Sequence, residues 1–367
     1  MKKIVHCFIY SVILLLTFVG CDVHEFPEER HERVPFLLHL NFNTELPLYK
    51  EVVYTRNGEN VSTSSTDLHD VRYIINAYRT GNMREDNREA DTTFVFTKSD
   101  IADLNYTARL ELYEGTYTFR VWTDYVDAGS TEDKYYVTSD FSEIILANKS
   151  NHAGSNDYRD AFRGYVSATV INPAYYTGDI VNTIDNQATV EMKRPMGKFK
   201  FVSTDVEIFI DRVVQMMKDQ GIYVDTDSEE GDTRASYEQL LQSINIYDFS
   251  VVFRYNIFMP CSFNMFTDKP ADSWMGMSFT SYMYTEDYNE MTLGYDYIFV
   301  NGSETTLSIS VEIYDKDGKL MASSNPIDVP IARSKLTLVK GNFLTAEASE
   351  GIVISPEFDG EYNIEIL

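Results

Sequence analysis

Residues Ala108-Arg109-Leu110-Glu111-Leu112-Tyr113-Glu114-Gly115-Thr116-Tyr117-Thr118-Phe119-Arg120-Val121-Trp122 decide how this chain is read. Apolar side chains stand at every second position, first at Ala108, Leu110 and Leu112, then at Tyr117, Phe119 and Val121. That is the period of a strand with one face buried. Glu114-Gly115 between the two runs reads as a hairpin turn. The same spacing recurs at Phe36-Leu38-Leu40-Phe42, at Tyr73-Ile75-Ala77 and at Leu307-Ile309-Val311-Ile313. Asp315-Lys316-Asp317-Gly318, between Tyr314 and Leu320, reads as a second hairpin turn, and connections this short imply antiparallel neighbours. Many of the 26 Tyr and 22 Phe fall in such runs between Gly, Asp, Asn and Ser, as expected of strands. The chain is therefore read as mainly β. No persuasive self-similarity appears at a period of roughly 20–50 residues, which disfavours a solenoid or propeller. Two antiparallel β-sandwiches suit the length best.

One helix interrupts the pattern, from about Asp205 to Gln220 (205–220), with Thr204 and Glu207 spaced as a capping box and Gly221 placed as the stop. Val206, Ile210, Val213 and Met217 form its apolar stripe, which calls for docking on a sheet or a neighbouring domain. The stretch that follows, Asp225-Thr226-Asp227-Ser228-Glu229-Glu230-Gly231-Asp232, reads as a solvated acidic loop. It is not an EF-hand, because Glu230 and Ser236 stand where that loop requires Gly and Glu. The domain boundary is placed between Asn186 and Arg194. This gives an N-terminal β-sandwich over 34–190 and a C-terminal one over 191–367 that carries the helix.

Lys2 and Lys3, an apolar run from Ile4 to Val19, and Phe18-Val19-Gly20-Cys21 resemble a bacterial lipoprotein signal peptide with its lipobox. The resemblance implies that residues 1–20 are removed and that the Cys21 thiol is acylated. Residues 21–33 then form a tether, and the outer membrane is a partner through the N-terminal lipid. Two or three acyl chains hold a protein stably where one does not. Without Lys2 and Lys3 the balance is 29 basic to 57 acidic side chains, a net charge of −28. Such a surface repels nucleic acid and anionic lipid headgroups. Of the three cysteines, Cys7 leaves with the signal and Cys21 carries lipid. Cys261 is then alone, no intrachain disulfide forms, and stability must come from packing.

No nucleophile elbow or phosphate loop is present in the sequence. The histidines of the mature chain, His24, His31, His39, His69 and His152, offer no close-spaced pair outside the tether. The expectation is a protein that is not an enzyme, with no cofactor and no metal. Trp122 reads as a core aromatic of a sandwich, with a sugar-stacking platform as the alternative. Trp274, in the turn-like Ala271-Asp272-Ser273-Trp274-Met275-Gly276, is the better candidate for an exposed aromatic contact.

Leu112 to Trp122 resembles a hairpin common in fimbrillin-type subunits and anchors of Bacteroidales pili. Lys193-Arg194-Pro195-Met196-Gly197-Lys198-Phe199-Lys200-Phe201 is similar to the strand that opens their second domain, with Gly197 where Ala is usual. Val329-Pro330 through Leu344 resembles their C-terminal hairpin region. The whole mature chain is similar to a family of Bacteroides lipoproteins close to the fimbrillins. This resemblance implies two transthyretin-like β-sandwich domains on a surface-exposed, lipid-anchored outer-membrane protein that acts in pilus assembly, anchoring or cell adhesion. It further implies maturation by cleavage after an arginine, for which Arg33, Arg30 and Arg56 are the candidates, and filling of the vacated groove by a donor strand from another subunit. The donor candidate is the alternating Tyr362, Ile364 and Ile366, a pattern that fits equally a strand completing its own sandwich. Other fimbrillin-like subunits are the implied partners, with a glycan or host receptor beyond them. The alternative is a surface glycan-binding lipoprotein of a nutrient-uptake system that uses Trp274 and Tyr282.

Overall fold

The computed structural model describes residues 32–42, 53–54, 60–61, 68–80, 89–221, 244–285, 289–346 and 361–366. The first half contributes β1 (Val34–Phe42), β2 (His69–Arg79), β3 (Thr92–Lys98), β4 (Tyr106–Leu112), β5 (Gly115–Asp127), β6 (Phe162–Val170) and β7 (Gln187–Met192). The second contributes β8 (Met196–Ser203), α1 (Val206–Asp219), β9 (Ser250–Tyr255), β10 (Ser278–Ser281), β11 (Met291–Phe299) and β12 (Glu304–Tyr314). It ends with β13 (Leu320–Ser323), β14 (Ile327–Ala332), β15 (Leu336–Gly341) and β16 (Glu361–Ile366). Among the described residues the protein is mainly β with one long helix.

Sheet I has the order β7-β1-β4 and sheet II the order β6-β5-β2-β3. They pack face to face through their inward alternating residues, and Phe36 of β1 stacks on Phe119 of β5 with ring centroids 5.3 Å apart. In the second lobe, sheet III carries β11-β8-β15-β16 and sheet IV carries β10-β9-β12-β13, with β14 also on β12. Phe199 and Phe201 of β8 meet Phe253 of β9 across that core. The strands expected from period-two alternation are all present, with Phe36, Leu38, Leu40, Phe42, Leu307, Ile309, Val311 and Ile313 buried. Most ladders are antiparallel, while β1 with β7, β8 with β15 and β15 with β16 are parallel. Partners so far apart in sequence are joined by no tight turn that would fix their direction.

Two local expectations need correction. Glu114-Gly115 is not a hairpin turn, because β4 pairs with β1 in sheet I while β5 pairs with β2 and β6 in sheet II. The chain turns a corner from one layer to the other, and both runs still bury the same core. Alternation specifies which face is buried and leaves the choice of neighbour open. The capping box is also absent, since the helix begins after Asp205. The Thr204 hydroxyl donates to Asn342 Oδ1, and the Asp205 carboxylate accepts from the backbone N–H groups of Leu344 and Thr345. Tertiary partners thus occupy the groups that would have capped locally. The helix still docks through Val206, Phe209, Ile210 and Val213, and it stops before Gly221, whose φ is 75°. By contrast, Asp315 to Gly318 does form a hairpin turn, with Tyr314 opposite Leu320.

Segment 128–161, between β5 and β6, leaves the first lobe. It contributes Tyr136–Val137 and Ile144–Leu146 to a small sheet completed by Ser262–Asn264 and Lys269–Pro270 from the second half of the chain. Trp122, Tyr136, Phe141 and Ile144 accordingly bury in the core of the second lobe. Cys261, at the same seam, is fully buried as expected of a small apolar residue.

Gly197 explains itself by a close approach. A Cβ built there would lie 2.2 Å from the Ala332 carbonyl oxygen and 2.8 Å from Ile331 Cγ2. Gly197→Ala should therefore push β8 away from β14 and destabilise the protein by about 1–3 kcal/mol. A lowered urea midpoint at unchanged slope would show it.

Candidate strand-exchange site

β1 is the strand on which the first lobe closes. Its residues Val34, Phe36, Leu38, Leu40 and Phe42 point inward and are buried, while Pro35, Leu37 and Asn41 face solvent. Phe42 meets Phe162 and Tyr73 edge-on, at 5.1 and 6.3 Å between ring centroids. β4 runs antiparallel along one side, from Val34 opposite Leu112 to Leu40 opposite Tyr106. β7 runs parallel along the other, starting only at Leu37 opposite Gln187. Pro35 therefore lies beyond the reach of β7, where its missing N–H breaks no ladder bond. On the outer face, His39 lies 3.0 Å from Thr107 Oγ1 and 3.1 Å from Gln187 Oε1, and Asn41 donates to Glu191 at 2.9 Å, which ties the three strands together.

Arg33 is exposed immediately before β1, with its guanidinium 5.1 Å from the centre of the Tyr113 ring. Cleavage after it would spare β1. Cys21, Arg30 and Arg56 lie outside the described residues, as do the acidic loop and the tether histidines. Tyr362, Ile364 and Ile366 fall in β16, which lies parallel to β15 of its own chain, opposite Thr337, Val339 and Gly341. β16 is the last strand of sheet III and has one neighbour there. β1 has two.

Trp122 is fully buried and its indole N–H donates to Asp124 Oδ2 at 3.2 Å. It is a core residue. Trp274 is 49% exposed with Lys149 Nζ 4.9 Å from its ring centre, and Tyr282 is 59% exposed. Among the described residues, no group of three or more His, Cys, Asp or Glu is arranged to hold a metal ion.

The feature that sequence reasoning missed is a line of buried charges between the lobes. Asp296 of β11 accepts from Arg159 and from the Tyr255 hydroxyl, and its Oδ2 lies 2.5 Å from His152 Nε2. Arg194 binds Asp160 with contacts of 2.6–2.9 Å, Lys198 Nζ donates to Asp157 at 2.6 Å, and Arg72 binds Asp124 and Asp133. Burial works against charge on Asp296, yet Arg159 and His152 hold its carboxyl below the ordinary range. Burial also pushes the Lys198 ammonium down to about 8, against the pull of Asp157. No local signal marks these residues, because Asp296 lies 137 positions from Arg159 and 144 from His152. A polar connection without periodicity reads as a solvated loop.

Over residues 34–366 the sequence matches the Family of unknown function (DUF6562), from the first residue of β1 to the last of β16. The chain belongs to the DUF6562 family. No curated protein matches its sequence. Among solved structures, this DUF6562 protein is similar to a candidate cell-adhesion protein from Bacteroides eggerthii, with a TM-score of 0.39 and 11% identity, covering 90% of this chain and 97% of that one. It is similar to a candidate polysaccharide-binding protein (DUF1812) from Bacteroides thetaiotaomicron, with a TM-score of 0.38 and 11% identity over 78% and 79% of the two chains. It is also similar to the fimbrial anchor protein Mfa2 from Porphyromonas gingivalis, with a TM-score of 0.34 and 9% identity over 79% and 82%. Likeness this remote carries no partner or ligand across.

In this DUF6562 chain Asp296→Ala removes the shared partner of Arg159, His152 and Tyr255. Leaving a buried arginine uncompensated typically costs about 3–5 kcal/mol, so chemical denaturation of the variant should show a loss of that order. Acid should act through the histidines. Burial, then Lys134, lowers His69 from 6.5 to about 4, and burial together with Arg159 lowers His152 in the same direction. Each is neutral when folded and gains a proton on unfolding below about pH 6.5, so their contribution is complete above that pH and falls as the pH drops toward 4. Melting temperatures at pH 7.5 and pH 5 should differ less for His69→Asn than for the parent chain; an equal difference would exclude His69 as a source.

Proposed function

We propose that this DUF6562 protein is a non-enzymatic surface lipoprotein, held in the outer membrane through acylated Cys21, that acts in pilus assembly or adhesion by β-strand complementation. The observation that carries the reading is the contrast between its two terminal strands. β16 lies at a sheet edge and, among the described residues, is held by a single parallel ladder. Its release breaks one set of main-chain hydrogen bonds, and an extended segment with alternating Tyr362, Ile364 and Ile366 can then pair with another sheet. β1 lies between two ladders and buries five inward side chains. At about 1.5–3 kcal/mol for each large apolar side chain, emptying its groove exposes surface worth roughly 10 kcal/mol, so a vacated groove strongly favours a replacement strand.

Cleavage before and after β1 then gives different molecules. Cutting after Arg33 frees the protein from its tether and leaves β1 seated. Cutting after Arg56 also detaches the segment that carries β1 and opens the groove between β4 and β7. A chain that keeps Cys21 acts as an anchor, and one that loses both lipid and β1 acts as a polymerising subunit. The proposed domains are 34–190 and 191–367, although Trp122, Tyr136 and Ile144 of the first bury in the core of the second. Glycan binding is a second reading, favoured by the exposed rings of Trp274 and Tyr282.

One truncation separates the two readings. Removal of residues 361–367 should leave a folded monomer that no longer associates with pilus subunits, as read by native mass spectrometry, whereas oligosaccharide binding through Trp274 would survive the same deletion. Unchanged subunit association by the truncated chain would overturn strand donation from β16. The N-terminal sequence of the native protein, starting at Cys21 or after Arg33 or Arg56, assigns it as anchor or subunit.

A further inference from the structure

The end of the first lobe at which β1 begins gathers several features. Val34 stands opposite Leu112 and Gly115 opposite Val170, so Arg33, the 113–114 corner and loop 171–186 emerge at the same end. The loop is clamped at its base, where Asn186 exchanges hydrogen bonds of 3.0 and 2.8 Å with the backbone of Ile171. The Tyr176 hydroxyl donates to Glu114 Oε1 at 3.2 Å, which fastens the loop to the corner. Between these fastenings run two 3-10 turns, Pro173–Tyr175 and Gly178–Thr183, that hold apolar side chains outward. Tyr175 is 57% exposed and Ile180 is 56%, and Tyr176 and Val181 are also exposed.

The geometry points to a lipid surface as the occupant of this tip: we infer that Tyr175, Tyr176, Ile180 and Val181 rest in the headgroup region of the bilayer and orient the anchored protein. The inference rests on the reading of Cys21 as acylated. Arg33 lies twelve positions beyond Cys21, and an extended chain advances at most about 3.6 Å per residue, so the anchor keeps this end within about 40 Å of the membrane. Tethering makes contact intramolecular, and weak insertion then suffices. Tyrosines beside aliphatic residues are the composition that settles at a membrane–water interface. Glu32, Glu114, Asp179 and Asp185 lie beside or within the corner and loop, against Arg33 and against Arg79, which donates to the Glu114 carbonyl; this acidic excess fits a zwitterionic surface and not an anionic one. A second copy is the poorer fit. Four side chains fall far short of the roughly 800 Å² per partner of a stable interface, and two acylated chains, each with 29 basic and 57 acidic side chains and a net charge of −28, repel one another.

The test uses the full acylated chain bearing Ile180→Trp, in phosphatidylcholine vesicles whose acyl chains are brominated close to the headgroups. Native emission is the baseline, because Trp122 is buried and Trp274 belongs to the second lobe. The expected result is a loss of the new indole's emission with no change in the parent chain, reproduced by Val181→Trp and abolished when Tyr175→Ser and Tyr176→Ser are added. A chain that floats with the vesicles but whose new indole keeps its emission overturns this inference and leaves the anchor intact. A chain that fails to float, or that floats equally well with Cys21→Ser, overturns the anchor reading and this inference with it. Shielding of the indole only when pilus subunits are added would make the tip a protein interface and overturn the lipid assignment.

Discussion

The first lobe depends on the seating of β1 between β4 and β7. Sheet I has three strands, and the middle one is the first described strand of the chain. Its inward residues supply one wall of the core, and its outward His39 and Asn41 bind side chains on both neighbours. Such a strand cannot be lost without exposing the faces of the other two. Under the proposed function, a cut beyond β1 would leave an aligned groove with apolar pockets at alternate positions.

The two lobes are joined by chemistry of a different kind. Segment 128–161 carries Asp133, His152, Asp157, Arg159 and Asp160, which meet partners on strands of one lobe or the other or, for Asp160, Arg194 in the connection between β7 and β8. Buried pairs of this sort add little net stability, because desolvation offsets most of the Coulombic gain. They are unforgiving of misalignment, so their main physical effect is to admit one arrangement of the lobes. Around them Tyr136, Phe263 and Phe299 provide the apolar contact that holds the seam shut.

Apolar alternation was legible because a half-buried strand must repeat at two, and Phe36 to Phe42, Ala108 to Leu112 and Leu307 to Ile313 all do so. The helix was legible in its stripe and in Gly221. Its capping was not, because Asp205 and Thr204 are taken by residues 342–345. The Glu114-Gly115 corner was misread as a hairpin because both outcomes bury Leu112 and Tyr117. Arg33, singled out as a protease site, acquires a neighbour in Tyr113 and a place at the tip of a lobe, neither of which the sequence around it could show.

By itself, the sequence determined the strand faces and the long helix Val206–Asp219, since each follows from local pattern and from the requirement that apolar area leave water. Only the tertiary structure decided which strands are neighbours, where the chain changes layer, and that Asp296 meets Arg159 and His152 across more than a hundred residues. The physical reason is that periodicity fixes an orientation relative to a core, whereas pairing and buried charge depend on which distant segments arrive at the same edge.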